Sequence, residues 1–147
     1  MDSTKLLSAL ERVLDSSCIA VLSTVDENGA PCSRWMVAGM LRGAPNHIYA
    51  VTDRKFRKVS QIARNSRVSW LLHTEGFTEV VLVSGDAAVV DNPSLKSAVL
   101  EALGKHLENF WHADPGIDDL VILETAITEI DHSTPATGEH ESVRIRD

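Results

Sequence analysis

The segment His47–Val68 reads "HIYAVTDRKFRKVSQIARNSRV" and changes its apolar period halfway along. Its first six residues are rich in β-branched and aromatic side chains, which is typical of a strand. Beyond them the apolar residues recur at helical spacing, at Phe56, Val59, Ile62 and Ala63. The segment therefore predicts a strand that passes into a short helix at Thr52–Lys55, and a further strand that begins near Arg67.

The spacing of apolar residues also assigns the flanking segments to helices and strands. Apolar residues at helical spacing predict a first helix over 4–16, and Asp91 or Asn92 followed by Pro93 predicts the start of a second long helix. Strand-like runs occupy 18–25, 30–41, 47–52, 67–74, 78–91 and 118–131. Gly85, in the middle of the fifth run, indicates a bulge or a sharp bend.

Hairpin-like links between these strands argue against a doubly wound parallel sheet. They predict a mainly-β or α+β fold, a small antiparallel barrel with flanking helices, because closing the sheet removes its edges. We expect one domain over 1–132 and a polar C-terminal tail over 133–147, in which "SVRIR" can add an edge strand.

The composition argues against nucleic-acid binding, membrane binding and membrane insertion. The 147 residues carry 14 basic and 21 acidic side chains, a net charge of −7, which disfavours general binding to nucleic acid or to an anionic membrane. No apolar run approaches the roughly 20 residues of a membrane span, and the charged N-terminus does not resemble a signal peptide. Two cysteines, Cys18 and Cys32, are interpreted as free thiols, and the expected location is cytoplasmic.

Basic residues are nevertheless concentrated in one segment. Six of the 14 lie between Asp53 and Glu75, a window without any acidic residue: Arg54, Lys55, Arg57, Lys58, Arg64 and Arg67. Cations at a helix N-terminus are locally unfavourable, whereas a bound phosphate would reverse that sign. Thr52 adds a hydroxyl at the end of the strand, so a phosphomonoester is the simplest ligand, although a solvated helix face is the ordinary alternative.

A second unexpected cation is Arg34, which stands among apolar residues in "CSRWMV". An arginine in a strand that packs a core requires an anion or a carbonyl as its partner, unless it faces solvent. The spacing of the Ser and His residues supports neither a catalytic triad nor a metal site.

Three stretches together resemble the FMN-binding split barrel of the pyridoxamine 5′-phosphate oxidase-like superfamily, in particular its short general-stress-protein-like branch. They are "ENGAPCSRWM", "HIYAVTDRKFRKVSQIARNSRV" and "VLVSGDAAVVDNP", and the similarity spans about residues 5–130. The resemblance implies a homodimer that binds FMN non-covalently at the subunit interface.

The resemblance also implies the site residues. Arg34, Trp35, Met36 and Val37 would run along the flavin ring, and Val51 and Thr52 would lie near the ring and the ribityl chain. Arg57 and Lys58 would bind the phosphate, and Trp111 of the partner chain would close over the site. Arg34 is also the candidate for stabilising the reduced flavin anion.

Two departures from the family pattern restrict the expected activity. Phe56 stands where Ser or Thr is frequent, and the longer C-terminal segment of true pyridoxamine-phosphate oxidases has no counterpart here. We therefore expect an FMN-dependent oxidoreductase of unknown substrate, with a small redox substrate or a nicotinamide donor as partner. The alternatives are a non-enzymatic flavin, haem or deazaflavin-binding stress or sensing protein, and a barrel that binds no cofactor or binds nucleic acid.

Overall fold

A computed structural model describes residues 3–107 and 119–145. It contains three α-helices and seven strands within these residues. In chain order they are α1 (Ser3–Ser17), β1 (Ile19–Val25), β2 (Pro31–Leu41), β3 (Ala44–Asp53), α2 (Arg57–Arg64), β4 (Arg67–His73), β5 (Val80–Val90), α3 (Pro93–Leu107), β6 (Leu120–Thr134) and β7 (Glu139–Arg144), with one 3-10 turn at Glu75–Phe77 before β5.

Six strands form a closed antiparallel barrel, which confirms the predicted fold class. The sheet order is β3-β2-β1-β4-β5-β6-β7, and an additional pairing of β3 with β6 closes the ring. Closure runs from His47 opposite Ala126 to Asp53 opposite Leu120. The first half of β6 therefore completes the barrel, while its second half pairs with β7.

The barrel interior holds the main core, and α1 packs on it. Leu10, Val13 and Leu14 of α1 are at most 1% exposed and belong to the same cluster as the inward side chains of the strands. Trp70 is fully buried, and its indole Nε1–H donates to Thr125 Oγ1 over 3.0 Å. The one polar group of this large side chain therefore has a partner inside the barrel.

Gly85 marks the predicted irregularity. The register of β5 against β6 shifts between Ser84 and Gly85, which is a β-bulge. A Cβ at Gly85 would lie 2.6 Å from the Ala126 carbonyl oxygen, so no other residue fits without a backbone shift.

Helix α3 covers the outside of the barrel at β2, β3 and β6. Asn92 caps it, because the Asn92 side-chain oxygen accepts from the Leu95 N–H over 3.1 Å, and Pro93 occupies the first helical position as predicted. Leu103 and Leu107 of α3 pack with Val37 and Val51 in a second cluster. This packing brings the end of α3 against the strands that carry the predicted site.

The sheet continues beyond residue 132. Strand β6 extends to Thr134, and β7 forms the edge strand that the sequence "SVRIR" predicts, although it begins earlier, at Glu139. None of the helices in residues 3–107 and 119–145 combines the length and the hydropathy of a membrane span.

Candidate cofactor site

The basic cluster is located where β3 ends and α2 begins. Phe56 is the N-cap residue of α2, in an extended conformation, and makes no side-chain capping hydrogen bond. No acidic residue lies in the first turn, and the Asp53 carboxylate instead accepts from the Lys55 backbone N–H over 2.9 Å. The start of α2 therefore presents its positive end with no side chain to balance it.

Lys58 is the most deeply placed cation of the cluster, at 9% exposure. Its Nζ donates to Thr52 Oγ1 over 3.1 Å and lies 4.4 Å from the centre of the Phe56 ring. Burial, and then repulsion from Arg34, lowers the pKa of Lys58 to about 8, which Asp53 only partly offsets. A neutral hydroxyl and a ring face are weak partners for a buried ammonium.

Arg34 faces the inside of the barrel, toward α2. One guanidinium nitrogen donates to Thr24 Oγ1 over 2.8 Å and to the Leu22 carbonyl over 3.3 Å, and the other donates to Gln61 Oε1 over 3.3 Å. Burial is the largest influence on the pKa of Arg34 and lowers it, while Cys32 opposes this effect and Arg57 adds to it. All of its hydrogen-bond partners are neutral.

Missing counter-charges distinguish Arg34, Arg57 and Lys58 from the three other arginines of the basic window. Arg54, Arg64 and Arg67 each have a carboxylate within 4.0 Å, on Asp91, Glu27 and Asp86 respectively. In the described part of the chain, no carboxylate lies within that distance of the cationic nitrogens of Arg34, Arg57 or Lys58. Among the described residues, these three cations therefore have no ion-pair partner, and Asp53 offsets only part of the repulsion and burial at Lys58.

An apolar cleft of about 110 Å³ lies beside this positive group. It is lined by Trp35, Met36, Val37, Val51, Thr52, Phe56, Lys58 and Leu107. A wider hollow of about 480 Å³ shares Trp35 with the cleft and is otherwise bounded by the end of α1 and by the segment from His73 to Glu75. Trp35 is 57% exposed and contributes to the walls of both the cleft and the hollow.

The structure brings together most of the residues that the sequence predicted. Six of the nine line the cleft: Trp35, Met36, Val37, Val51, Thr52 and Lys58. Arg57 is exposed on the first turn of α2, and Arg34 is held on the inner side of β2, where its charge and that of Arg57 influence each other. Trp111 lies outside the described residues.

Sequence reasoning missed Leu107, Thr24 and Gln61. Leu107 lies on the buried face of α3, and helical periodicity does not say which strand that face meets. Gln61 lies three residues after Lys58 and next to Ile62, so a polar side chain on the buried face of α2 was the available signal. Thr24 follows Ala20 and Leu22 on the inward face of β1, where a hydroxyl requires a partner.

The family described as "Pyridoxamine 5'-phosphate oxidase" matches residues 6–133 of the chain. The chain belongs to this family. No curated protein matches it in sequence.

Solved structures support the same fold at low identity. General Stress Protein 26 from Bacillus anthracis is 23% identical with a TM-score of 0.75, over 95% of this chain and 98% of that one. A pyridoxamine 5'-phosphate oxidase-related, FMN binding protein from Nostoc punctiforme is 17% identical with a TM-score of 0.71, over 95% and 96% of the two chains. A heme binding protein from Mycobacterium smegmatis is 15% identical with a TM-score of 0.73, over 95% of this chain but 57% of that one. At these identities the likeness extends to the split barrel alone.

Proposed function

We propose that this protein is an FMN-dependent oxidoreductase that binds FMN non-covalently, with the phosphate at the start of α2 and the ring along β2. The observation that carries the proposal is the buried positive charge of Lys58, which lacks an ion-pair partner among the described residues and is repelled by Arg34, which in turn is repelled by Arg57. A phosphate dianion would supply a counter-charge, and the Thr52 hydroxyl, which accepts from Lys58, would donate a further hydrogen bond to it.

The cleft beside these cations suits the rest of the cofactor. Its walls on β2 and β3 are apolar side chains, which can cover a planar ring, and the strand backbones supply hydrogen-bonding groups at its edge. Phe56 replaces a hydroxyl with a ring that is 50% exposed, so we assign it to contact with the ligand rather than to a hydrogen bond with phosphate.

For Arg34 we propose a role that differs from the one expected at the flavin ring. Because its guanidinium is bonded to Gln61 of α2, we place it at the phosphate end of the ligand and not at the pyrimidine edge. FMN supplies the electron or hydride chemistry when it is bound, and the side chains of this protein bind the cofactor and orient it.

We further propose that the protein acts as a homodimer. The cleft is smaller than the roughly 300–1,000 Å³ of most ligand sites, so one subunit alone encloses too little of FMN. Trp35, Val21, Leu71 and Leu82 lie directly opposite one another across four neighbouring strands of the barrel exterior. Trp35, Leu71 and Leu82 are 57%, 43% and 39% exposed, and a second copy of the chain would cover this apolar row.

The row joins the proposed interface to the proposed cofactor site. Trp35 belongs both to the row and to the lining of the cleft, so a partner that covers the row would also cover one side of the bound ring. Both cysteines are free thiols, in keeping with the proposed cytoplasmic location, and a small molecule or a nicotinamide cofactor is the proposed electron donor.

A haem or deazaflavin-binding protein without enzymatic activity is the second candidate, because a heme binding protein shares the fold. The described lining of the cleft favours FMN over haem, since it contains no histidine and Met36 is its one potential axial ligand.

The visible spectrum of the protein, purified without added cofactor, tests these alternatives. Flavin bands that bleach anaerobically with NADH, NADPH or a reducing substrate support the proposal, whereas flavin bands that none of them bleaches contradict the enzymatic part. A Soret band would identify haem. A colourless protein that also fails to take up added FMN contradicts the proposal as a whole.

A further inference from the structure

Arg34, Thr24 and Gln61 form a closed triangle of hydrogen bonds between the barrel and α2. Thr24 Oγ1 lies 2.8 Å from Arg34 and 2.6 Å from Gln61 Oε1, and the guanidinium also reaches Gln61 Oε1 over 3.3 Å. Thr24 is 1% and Gln61 5% exposed. Thr24 and Gln61 are therefore almost fully withdrawn from water, whereas Arg34 is partly buried. The triangle lies on strands β1 and β2 and on the second turn of α2.

The hydrogen bonds of this triangle have a fixed direction. A guanidinium only donates, so the Thr24 oxygen accepts from Arg34 and uses its own proton to donate to Gln61 Oε1. The amide nitrogen of Gln61, Nε2, donates to Cys32 Sγ over 3.7 Å, so both ends of the amide have a partner. Neither Thr24 nor Gln61 can turn its group around without leaving a buried donor or acceptor unpaired.

The residue type at position 61 is informative. Glutamate has nearly the shape of glutamine and would form a buried ion pair with Arg34, the usual way to accommodate a buried arginine. Glutamine fixes the guanidinium by hydrogen bonds but leaves its positive charge uncompensated. The charge of Arg34 is therefore available to an anion outside the triangle. The cations that interact with Arg34 electrostatically are Arg57 and Lys58.

We propose that Thr24 and Gln61 are positioning residues: they hold Arg34 as the third cation for the cofactor phosphate and keep it uncompensated. This inference rests on the proposed FMN site and deepens it, because it assigns phosphate selectivity to two residues that do not line the cleft. Gln61 also links the position of Arg34 to that of α2, whose first turn carries the other two cations.

The test compares the dissociation constants of FMN and riboflavin, which differ by the phosphate alone, in four variants of the full chain. Gln61→Glu introduces a counter-charge, and we expect FMN affinity to fall about tenfold or more while riboflavin affinity stays within about twofold. Thr24→Val removes the central hydroxyl and should lower FMN affinity severalfold, and Thr24→Ser should restore it. Ala63→Glu adds the same charge on the exposed side of α2 and serves as the matched control, with a smaller and salt-sensitive effect.

The outcomes separate this inference from the proposed function. If the unmodified protein binds FMN more tightly than riboflavin but Gln61→Glu and Thr24→Val leave the ratio of the two constants unchanged, the positioning role is wrong and the FMN site stands. Equal losses for both ligands would reduce the triangle to a structural role, and would also overturn the inference. If the unmodified protein binds neither ligand, both proposals fail. Thermal unfolding of each variant identifies any that does not fold; if Thr24→Val does not, Gln61→Glu against Ala63→Glu carries the comparison, and if Gln61→Glu does not, Thr24→Val against Thr24→Ser carries it.

Discussion

Two clusters of charged side chains in this protein differ in how their charges are balanced. Arg12 on α1 forms a two-pronged ion pair with Glu79, and His132 Nε2 lies 2.9 Å from the same carboxylate. At the start of α2, by contrast, Arg34, Arg57 and Lys58 have no carboxylate within ion-pair distance among the described residues.

The pKa shifts favour the charged forms in the first cluster and disfavour them in the second. The hydrogen bond to Glu79 raises the pKa of Arg12, and Arg12 in turn lowers the pKa of Glu79 to about 2, so each group stabilises the charge of the other. At α2, burial and mutual repulsion lower the pKa of Arg34 and of Lys58. The charges of the first cluster balance one another within the fold, whereas a bound anion would stabilise the charged forms of the second. Cationic groups whose pKa values are lowered by burial and by neighbouring positive charges are typical of binding sites.

Removing the unbalanced charges should have the largest effect. Arg57→Ala combined with Lys58→Ala deletes two charge-assisted contacts worth roughly 1.5–3 kcal/mol each, so FMN affinity should fall about a hundredfold or more. Riboflavin, which lacks the phosphate, should bind nearly as before. Titration of flavin fluorescence measures both constants, and Arg64→Ala, on the same helix but paired with Glu27, is the control. An equal loss for both ligands would place the phosphate elsewhere.

The apolar row provides the second test. The proposed cofactor site beside α2 is expected to depend on a partner chain, whereas the Arg12–Glu79 pair is not. Leu71→Glu places a charge on the barrel exterior, where the side chain is 43% exposed in one subunit, so the isolated subunit should fold normally. If a second copy covers the row, burying the new carboxylate should weaken the dimer about tenfold or more.

Light scattering during size-exclusion chromatography measures the dissociation of the dimer. The affinity for FMN should decrease together with dimerisation, because Trp35 belongs both to the row and to the lining of the cleft. Phe77→Glu, at an apolar position outside the row that is 57% exposed, is the control. A dimer that persists in Leu71→Glu would show that the interface lies on another face.

The third test uses the pKa of Lys58. With a pKa of about 8 in the free protein, Lys58 loses its charge above that pH, so FMN affinity should decrease from pH 7.5 to pH 9.5, by at most about tenfold per pH unit. Lys58→Arg should remove this decrease, since a guanidinium stays charged throughout the range. A pH-independent affinity in the unmodified protein would exclude Lys58 as a phosphate ligand.

Stability without FMN should show the opposite trend. Because the folded-state pKa of Lys58 lies below its ordinary value of 10.5, the unfolded chain binds more protons between these two values. The contribution of Lys58 to the free energy of unfolding therefore rises with pH from about 8 to 10.5, and it is unfavourable at lower pH. Denaturant titrations at several pH values, with Lys58→Met as reference, measure this contribution.

The balanced cluster should give the smallest effect, and on stability alone. Glu79 has a folded-state pKa of about 2 against an ordinary value of 4.5, so its contribution is present above pH 4.5 and is lost as the pH falls toward 2. Arg12 is 59% exposed, so solvent screening limits the loss in Glu79→Gln to about 1 kcal/mol at neutral pH. FMN affinity should not change. Glu141→Gln, which breaks the more exposed contact with Lys5, is the control, and a loss of FMN binding in Glu79→Gln would contradict the separation of the two clusters.

Local sequence determined the secondary structure and the conformation at particular points. Helical spacing of apolar residues predicted α1 and α2, Asn92 and Pro93 marked the start of α3, and Gly85 marked a bulge, because each of these signals acts within a few residues along the chain. The charge asymmetry of the window after Asp53 was also visible in the sequence, and it indicated an anion.

Only the tertiary structure decided which of those charges lack partners. Arg54, Arg64 and Arg67 resemble Arg57 in the sequence, but the fold brings a carboxylate to each of the first three from a distant segment and, among residues 3–107 and 119–145, none to Arg57. Leu107 reaches the cleft, and Thr24 meets Gln61, through contacts between residues far apart in the chain. Periodicity fixes which side of an element is buried, while the pairing of strands and the packing of helices on the barrel fix what each buried group touches.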